Sequence, residues 1–231
     1  MTRTLNVVRM QLINRQTYIW VPVIVLLGSF AIAFAVYELL FSVGVTTPKY
    51  GGGAQAPLWY FGVVGVQALT LTFPFSQAMS VTRREFYIGT LVTAGITSVL
   101  LSVIFVIGGL VEQATRGWGI EGYFFYLPWL WEAGPLGAGV VFFAIALLFF
   151  VVGFWAATIY KRFGALATTA TLIGTAALLV ALAWLITATG SWPAVTERFV
   201  ALGALGLAVW GLVLITVLAA SSFLTLRRAV P

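Results

Sequence analysis

The side chains with most to offer a chemical interaction stand together as Ser80-Val81-Thr82-Arg83-Arg84-Glu85-Phe86-Tyr87-Ile88-Gly89. Two guanidiniums and a carboxylate can make charge-assisted hydrogen bonds, and Phe86 and Tyr87 beside them are aromatic types that anchor protein interfaces. The chemistry predicted here is recognition of a soluble partner. Pro74, one or two turns upstream, can kink the preceding helix and aim the segment.

Bond-making chemistry has little to work with. The chain has no His, no Cys and no Asp, so metal clusters, a His-based triad and a paired-aspartate site are excluded, and neither catalytic nor metal-binding residues are assigned. Glu38, Glu112, Glu121, Glu132 and Glu197 fall near the outer surface, and no two Glu residues have a spacing that suggests acid-base work. Gly51, Gly52 and Gly53 are not followed by Lys-Ser or Lys-Thr, and no G-x-x-x-x-G-K pattern occurs, so the chain is not itself an ATPase. No charge stands at the middle of an apolar run. Glu38 comes closest, three residues from the end of one, where it reads as a solvated interfacial carboxylate.

Polar residues inside the apolar runs form stripes at helical spacing: Gln67, Thr70, Pro74 and Gln77; Thr90, Thr93 and Thr97; Gly164, Thr168, Thr171 and Thr175. They can line a translocation path or a dimer interface. They can equally glue helices together or bond their own backbone, as Gly203 with Gly206 and Ala170 with Gly174 would let helices approach. Gln67 is the better candidate for a path or seam, because an amide near mid-membrane is costly unless it faces protein or water.

These groups need elements to carry them, and composition names the kind. The chain is 61% hydrophobic and 8% charged over 231 residues, with a mean hydropathy of +1.07, far too apolar for a soluble core under a polar surface. Lipid must solvate most of it. Spanning segments satisfy their backbone internally, as helices or closed barrels, and the apolar runs are about twice a barrel strand's length and do not alternate. We read an all-α membrane protein with six transmembrane helices at residues 18–41, 58–80, 88–111, 136–160, 163–186 and 199–224. It forms a single transmembrane domain over 1–231, with an elbow helix at 1–17, the spans within 18–224 and a short tail at 225–231.

Positive charge sets the orientation. With the N-terminus inside, Arg3, Arg9, Arg15, Arg83, Arg84, Lys161, Arg162, Arg227 and Arg228 are cytoplasmic, against Lys49, Arg116 and Arg198 outside. Both termini are therefore expected in the cytoplasm. The pI near 10.0 reflects the excess of Lys and Arg over Glu, and because these cations sort by side of the membrane no nucleic-acid partner is expected. Residues 1–16 lack the apolar run of a secretory leader, so the first span is expected to be retained. Within them Leu5, Val8 and Leu12 form the apolar stripe of an interfacial elbow helix. The loop 112–135 is rich in Trp, Tyr and Phe, and an interfacial or re-entrant helix is expected around 122–131.

With these residues in place, the sequence resembles the permease subunits of ATP-binding cassette exporters of the ABC-2 type. The likeness covers nearly the whole chain in architecture, and locally it is the pattern Ser80, Thr82, Arg83, Arg84, Phe86 and Gly89 between spans two and three. The resemblance implies that this segment, with Glu85 and Tyr87, is similar to a coupling helix seated in a separate cytoplasmic ATP-binding subunit. It further implies a second permease copy or similar chain, and a prokaryotic plasma-membrane location. No cofactor is expected on this chain, with ATP and Mg held by the partner ATPase. The aromatic loop between spans three and four departs from the family, many of whose members place their outer helices between spans five and six. Two other classes share these features: a membrane scaffold and a gradient-driven carrier.

Overall fold

A computed structural model describes residues 2–51 and 55–227, with the side chains of Thr2 and Arg3 excluded. The expectations that touch Gly52, Gly53, Arg3, Arg228 and most of the tail 225–231 lie outside the described residues.

The chain is built of helices whose length follows from their apolar runs. In order they are α1 (Thr2–Ile13), α2 (Val21–Ser42), α3 (Ala56–Gln67), α4 (Phe73–Ala78), α5 (Arg83–Ala114), α6 (Gly134–Ala188) and α7 (Trp192–Leu226). A π-turn over Gln16–Trp20 runs into α2, and a second over Ala68–Thr72 joins α3 to α4, with Pro74 in the first turn of α4. Among the described residues five stretches are long and apolar enough to cross a bilayer: Gln16–Ser42, Ala56–Ala78, Arg83–Ala114, Gly134–Ala188 and Trp192–Leu226. This is a multi-pass, all-α membrane protein.

Two of the long helices are broken by glycine. Gly164 in α6 has φ 81° and ψ −179°, and Gly203 in α7 has φ 61° and ψ 179°, a region essentially restricted to glycine. The break at Gly164 falls one residue inside the predicted span 163–186, next to its boundary with the predicted span 136–160. The break at Gly203 separates residues 192–202 from the rest of α7, whose Ala204 and Ala208 pack on Val141 and Ala144 of α6.

Small residues set the closest helix approach. A side chain at Gly65 of α3 would strike the main chain at Phe150 of α6, and one at Gly153 of α6 would strike that of Gly62. Such backbone proximity is how helices associate where lipid is as apolar as the side chains. Around this crossing the core gathers Phe61, Leu69, Phe73, Phe86, Phe105, Phe150 and Phe154. By contrast, α6 beyond Ile159 contributes no buried residue, and Trp184 is 70% exposed.

The elbow helix forms with a different inner face from the one expected. Val7, Val8 and Gln11 are buried, while Leu5 is 54% exposed. The reason is that α1 packs on protein: Val7 fills the space left by Gly89 of α5, and Gln11 donates to Thr90 Oγ1 at 2.8 Å.

The loop between α5 and α6 also differs from expectation. Residues 122–131 do not form a helix. Gly122–Tyr123 pairs in parallel with Lys49–Tyr50, and only Pro128–Trp131 makes a short 3-10 turn. The cause is the buried carboxylate of Glu112, which takes up main-chain N–H groups of this segment and draws it into an irregular fold.

Candidate functional site

The turn between α4 and α5 is built from local hydrogen bonds. Ser80 has φ 57°, an uncommon left-handed conformation for a residue with a side chain, and its N–H donates to Gln77 O at 3.0 Å. Gln77 Nε2 donates back to Val81 O at 3.0 Å, so this amide closes the turn. Thr82 then caps α5: its Oγ1 accepts from Glu85 N at 3.2 Å, and Glu85 Oε2 accepts from Thr82 N at 3.0 Å. This reciprocal capping box satisfies two main-chain donors and fixes where the helix begins.

From this start α5 is keyed to the elements around it. Arg83 Nη1 donates to Arg227 O at 2.8 Å and Leu226 O at 3.4 Å, at the end of α7. Phe86 is fully buried with its ring 5.1 Å from that of Phe73 in α4. Tyr87 donates to Ala219 O at 2.6 Å and packs on Phe223 and Phe154. Gly89 receives Val7 of α1. Phe86 and Tyr87 are thus interior side chains rather than the surface anchors expected from sequence, because the apolar ends of α4, α6 and α7 cover them. The face left for a partner is Ser80, Thr82 and Arg84, all exposed, with Arg83 and Glu85 half-buried.

The polar stripes are mostly spent on their own helices. Thr70 donates to Val66 O, Thr168 to Gly164 O, Thr171 to Ala167 O and Thr175 to Thr171 O, at 2.8–3.0 Å. Thr93 and Thr97 do the same inside the core, to Gly89 O and Thr93 O. The half-buried side-chain amide of Gln67, at the end of α3, makes no hydrogen bond among the described residues. The structure therefore does not join Gln67 to Thr168, Thr171 or Thr175 by hydrogen bonds.

A second polar centre lies at the C-terminal end of α5, where the sequence suggested only an outer-surface carboxylate. Glu112 is fully buried. Its Oε1 accepts from Trp118 Nε1 at 3.1 Å and Phe124 N at 2.9 Å, and its Oε2 accepts from Phe125 N and Tyr126 N, each at 2.8 Å. Four donors around one carboxylate satisfy a buried charge that would otherwise be very costly. Beside it Arg116, Trp118 and Glu121 all have positive φ, and of these the carboxylate binds the indole N–H of Trp118. Lys49 is likewise buried, donating to Ile120 O at 2.8 Å with its ammonium 5.5 Å from the Phe41 ring centroid. Burial, and then the Glu121 carboxylate to which its hydroxyl donates at 3.1 Å, push Tyr123 above the usual phenol range. The sequence signal for this centre is an acidic residue closing a long apolar helix just before a loop of glycines and aromatics.

No protein-family profile, curated protein or solved structure matches the chain.

Proposed function

We propose that this chain is the membrane-spanning subunit of an ATP-driven exporter, crossing the bilayer six times with both ends in the cytoplasm. The sixth crossing comes from dividing α6 at Gly164, beside the basic pair Lys161 and Arg162. A straight helix of 55 residues would run about 80 Å, more than twice the hydrocarbon thickness, whereas 134–163 and 165–188 can each cross once. Residues 192–202, set off by Gly203, then supply a short outer helix between spans five and six. That is where ABC-2 type permeases place theirs.

The observation that carries the reading is the site at residues 80–89. A strained, capped turn leaves Arg84 exposed at the start of a helix keyed to α1, α4, α6 and α7. A push on that turn by a cytoplasmic ATPase would move the bundle as a unit rather than a loose loop. Two copies, or this chain with a similar one, would enclose the path at their interface, and the amide of Gln67 is the candidate group for that seam. The absence of charged residues from the middle of the spans favours an amphipathic or lipid-like cargo.

A scaffold without transport is the second reading, favoured by the interior position of Phe86 and Tyr87, which leaves a smaller docking face. Affinity purification of the chain from its own membranes separates the two. The exporter reading expects a nucleotide-binding subunit to co-purify with ATP turnover that depends on this chain. A stable complex without such a subunit would favour the scaffold.

A further inference from the structure

A groove of about 210 Å³ runs between α2, α3 and α5, walled by Tyr18, Pro22, Leu26, Phe61, Leu101 and Ile104. It extends from Tyr18 in the π-turn to Leu26 in α2, about 12 Å at the helical rise. Thr97 is the other polar residue on its wall, and its hydroxyl is spent on Thr93 O and Ala94 O. Such a cavity does not hold water, which needs polar partners. Left empty it would forfeit the packing that protein interiors maintain.

The rim opens sideways onto lipid, since Ile19, Leu100 and Ile104 are exposed on spanning helices. The π-turn Gln16–Trp20 lies at one end, and such insertions tend to occur where a helix serves a site. Arg15 is exposed three residues before Tyr18, and Arg9 is exposed on α1, which packs on α5 through Gln11 and Thr90. A long apolar slot between spanning helices, with two exposed guanidiniums on the segment that leads into Tyr18, matches an acyl chain whose headgroup carries a phosphate.

We propose that this groove binds one acyl chain of an anionic phospholipid, with the phosphate held by Arg15 and Arg9. The proposal rests on the chain lying in a membrane and not on its being an exporter.

The test is native mass spectrometry of the full chain in mild detergent, titrated with phosphatidylglycerol or phosphatidylcholine. The unmodified chain should retain one phosphatidylglycerol about fivefold more tightly than phosphatidylcholine, the advantage expected of a basic side chain near an anionic headgroup. Leu100→Trp, which fills the groove from its rim, should remove that bound copy. Leu172→Trp, at a position of equal exposure (53%) on α6, should not. Arg9→Gln/Arg15→Gln should bring phosphatidylglycerol down to the phosphatidylcholine level. Equal retention of the two lipids by the unmodified chain, no retained lipid, or equal effects of the two Trp substitutions would each overturn the proposal.

Discussion

Arg83 holds the end of α7 through Arg227: its Nη1 stands 2.8 Å from that residue's main-chain oxygen. The last carbonyls of a helix have no partner inside it, and they mark the negative end of its dipole, so a guanidinium there serves both needs. Arg83→Ala should therefore lower stability by about 1 kcal/mol, the modest end for a charged donor with an exposed acceptor. Thermal unfolding in detergent, followed by tryptophan fluorescence, reads this. A melting point equal to that of the unmodified chain would mean the tie carries no stability.

Glu112→Gln keeps size and shape but turns an amide NH2 toward main-chain donors now paired with a carboxylate oxygen. One or more buried N–H groups lose their acceptor, at a cost of about 2–3 kcal/mol. The damage should be local. Hydrogen exchange is expected to rise across residues 117–131 while the crossing of α3 and α6 stays protected; uniform protection in the variant would show that Glu112 is not what holds the loop.

At Gly164 a β-carbon meets nothing within 4 Å, so any cost of Gly164→Ala comes from the backbone. Its left-handed φ with extended ψ should make that cost about 1–3 kcal/mol. Gly28 in α2 is equally open but has ordinary helical φ, and Gly28→Ala should be neutral or slightly stabilising. Similar melting points for the two variants would argue that α6 is not sharply broken at this residue.

The proposed orientation is open to labelling because the chain has no cysteine of its own. Ala114→Cys, exposed at the end of α5, should react in intact cells with an impermeant thiol reagent. Arg162→Cys, half-buried beside the Gly164 break, should react only after the membrane is opened. The reverse pattern would invert the topology.

Arg84 is the exposed cation of the α4–α5 turn. If an ATPase docks there, Arg84→Glu should weaken association tenfold or more, since an interfacial arginine is often worth about 1.4 kcal/mol and reversal adds repulsion. Arg162→Glu changes the same charge at the other basic turn and should matter less. ATPase recovery and ATP turnover that fall equally in both variants would count against docking at residues 80–85.

The features legible in the sequence are those that depend on one side chain's own preference. The spans follow from runs of Leu, Val, Ile and Phe, and Thr82 with Glu85 has the residue types and spacing of a capping box. Phe86 misleads because charge beside an aromatic suggests a surface. Its burial depends on Phe73, thirteen residues away across a turn whose geometry Ser80 sets. Glu112 is hidden for a related reason: its partners are mainly main-chain N–H groups, which nearly every residue has and no motif records. Leu5 and Val7 exchange roles because Gly89 offers a recess to one face of α1, and a recess belongs to the neighbour's sequence.

The second half of α6 adds almost nothing to the packing of its own chain, and this bears on how it tolerates change. Lipid alone would accept nearly any apolar residue between 165 and 188, so a saturation scan of that stretch in cells should be permissive around the whole helix. A partner would leave a different mark: intolerance on one face, at every third or fourth position, in a segment where the fold of the single chain imposes no such period. The exposed beam is in that sense a built-in reporter. Selection acting on it is selection for assembly, read free of the background that core packing lays over the other spans.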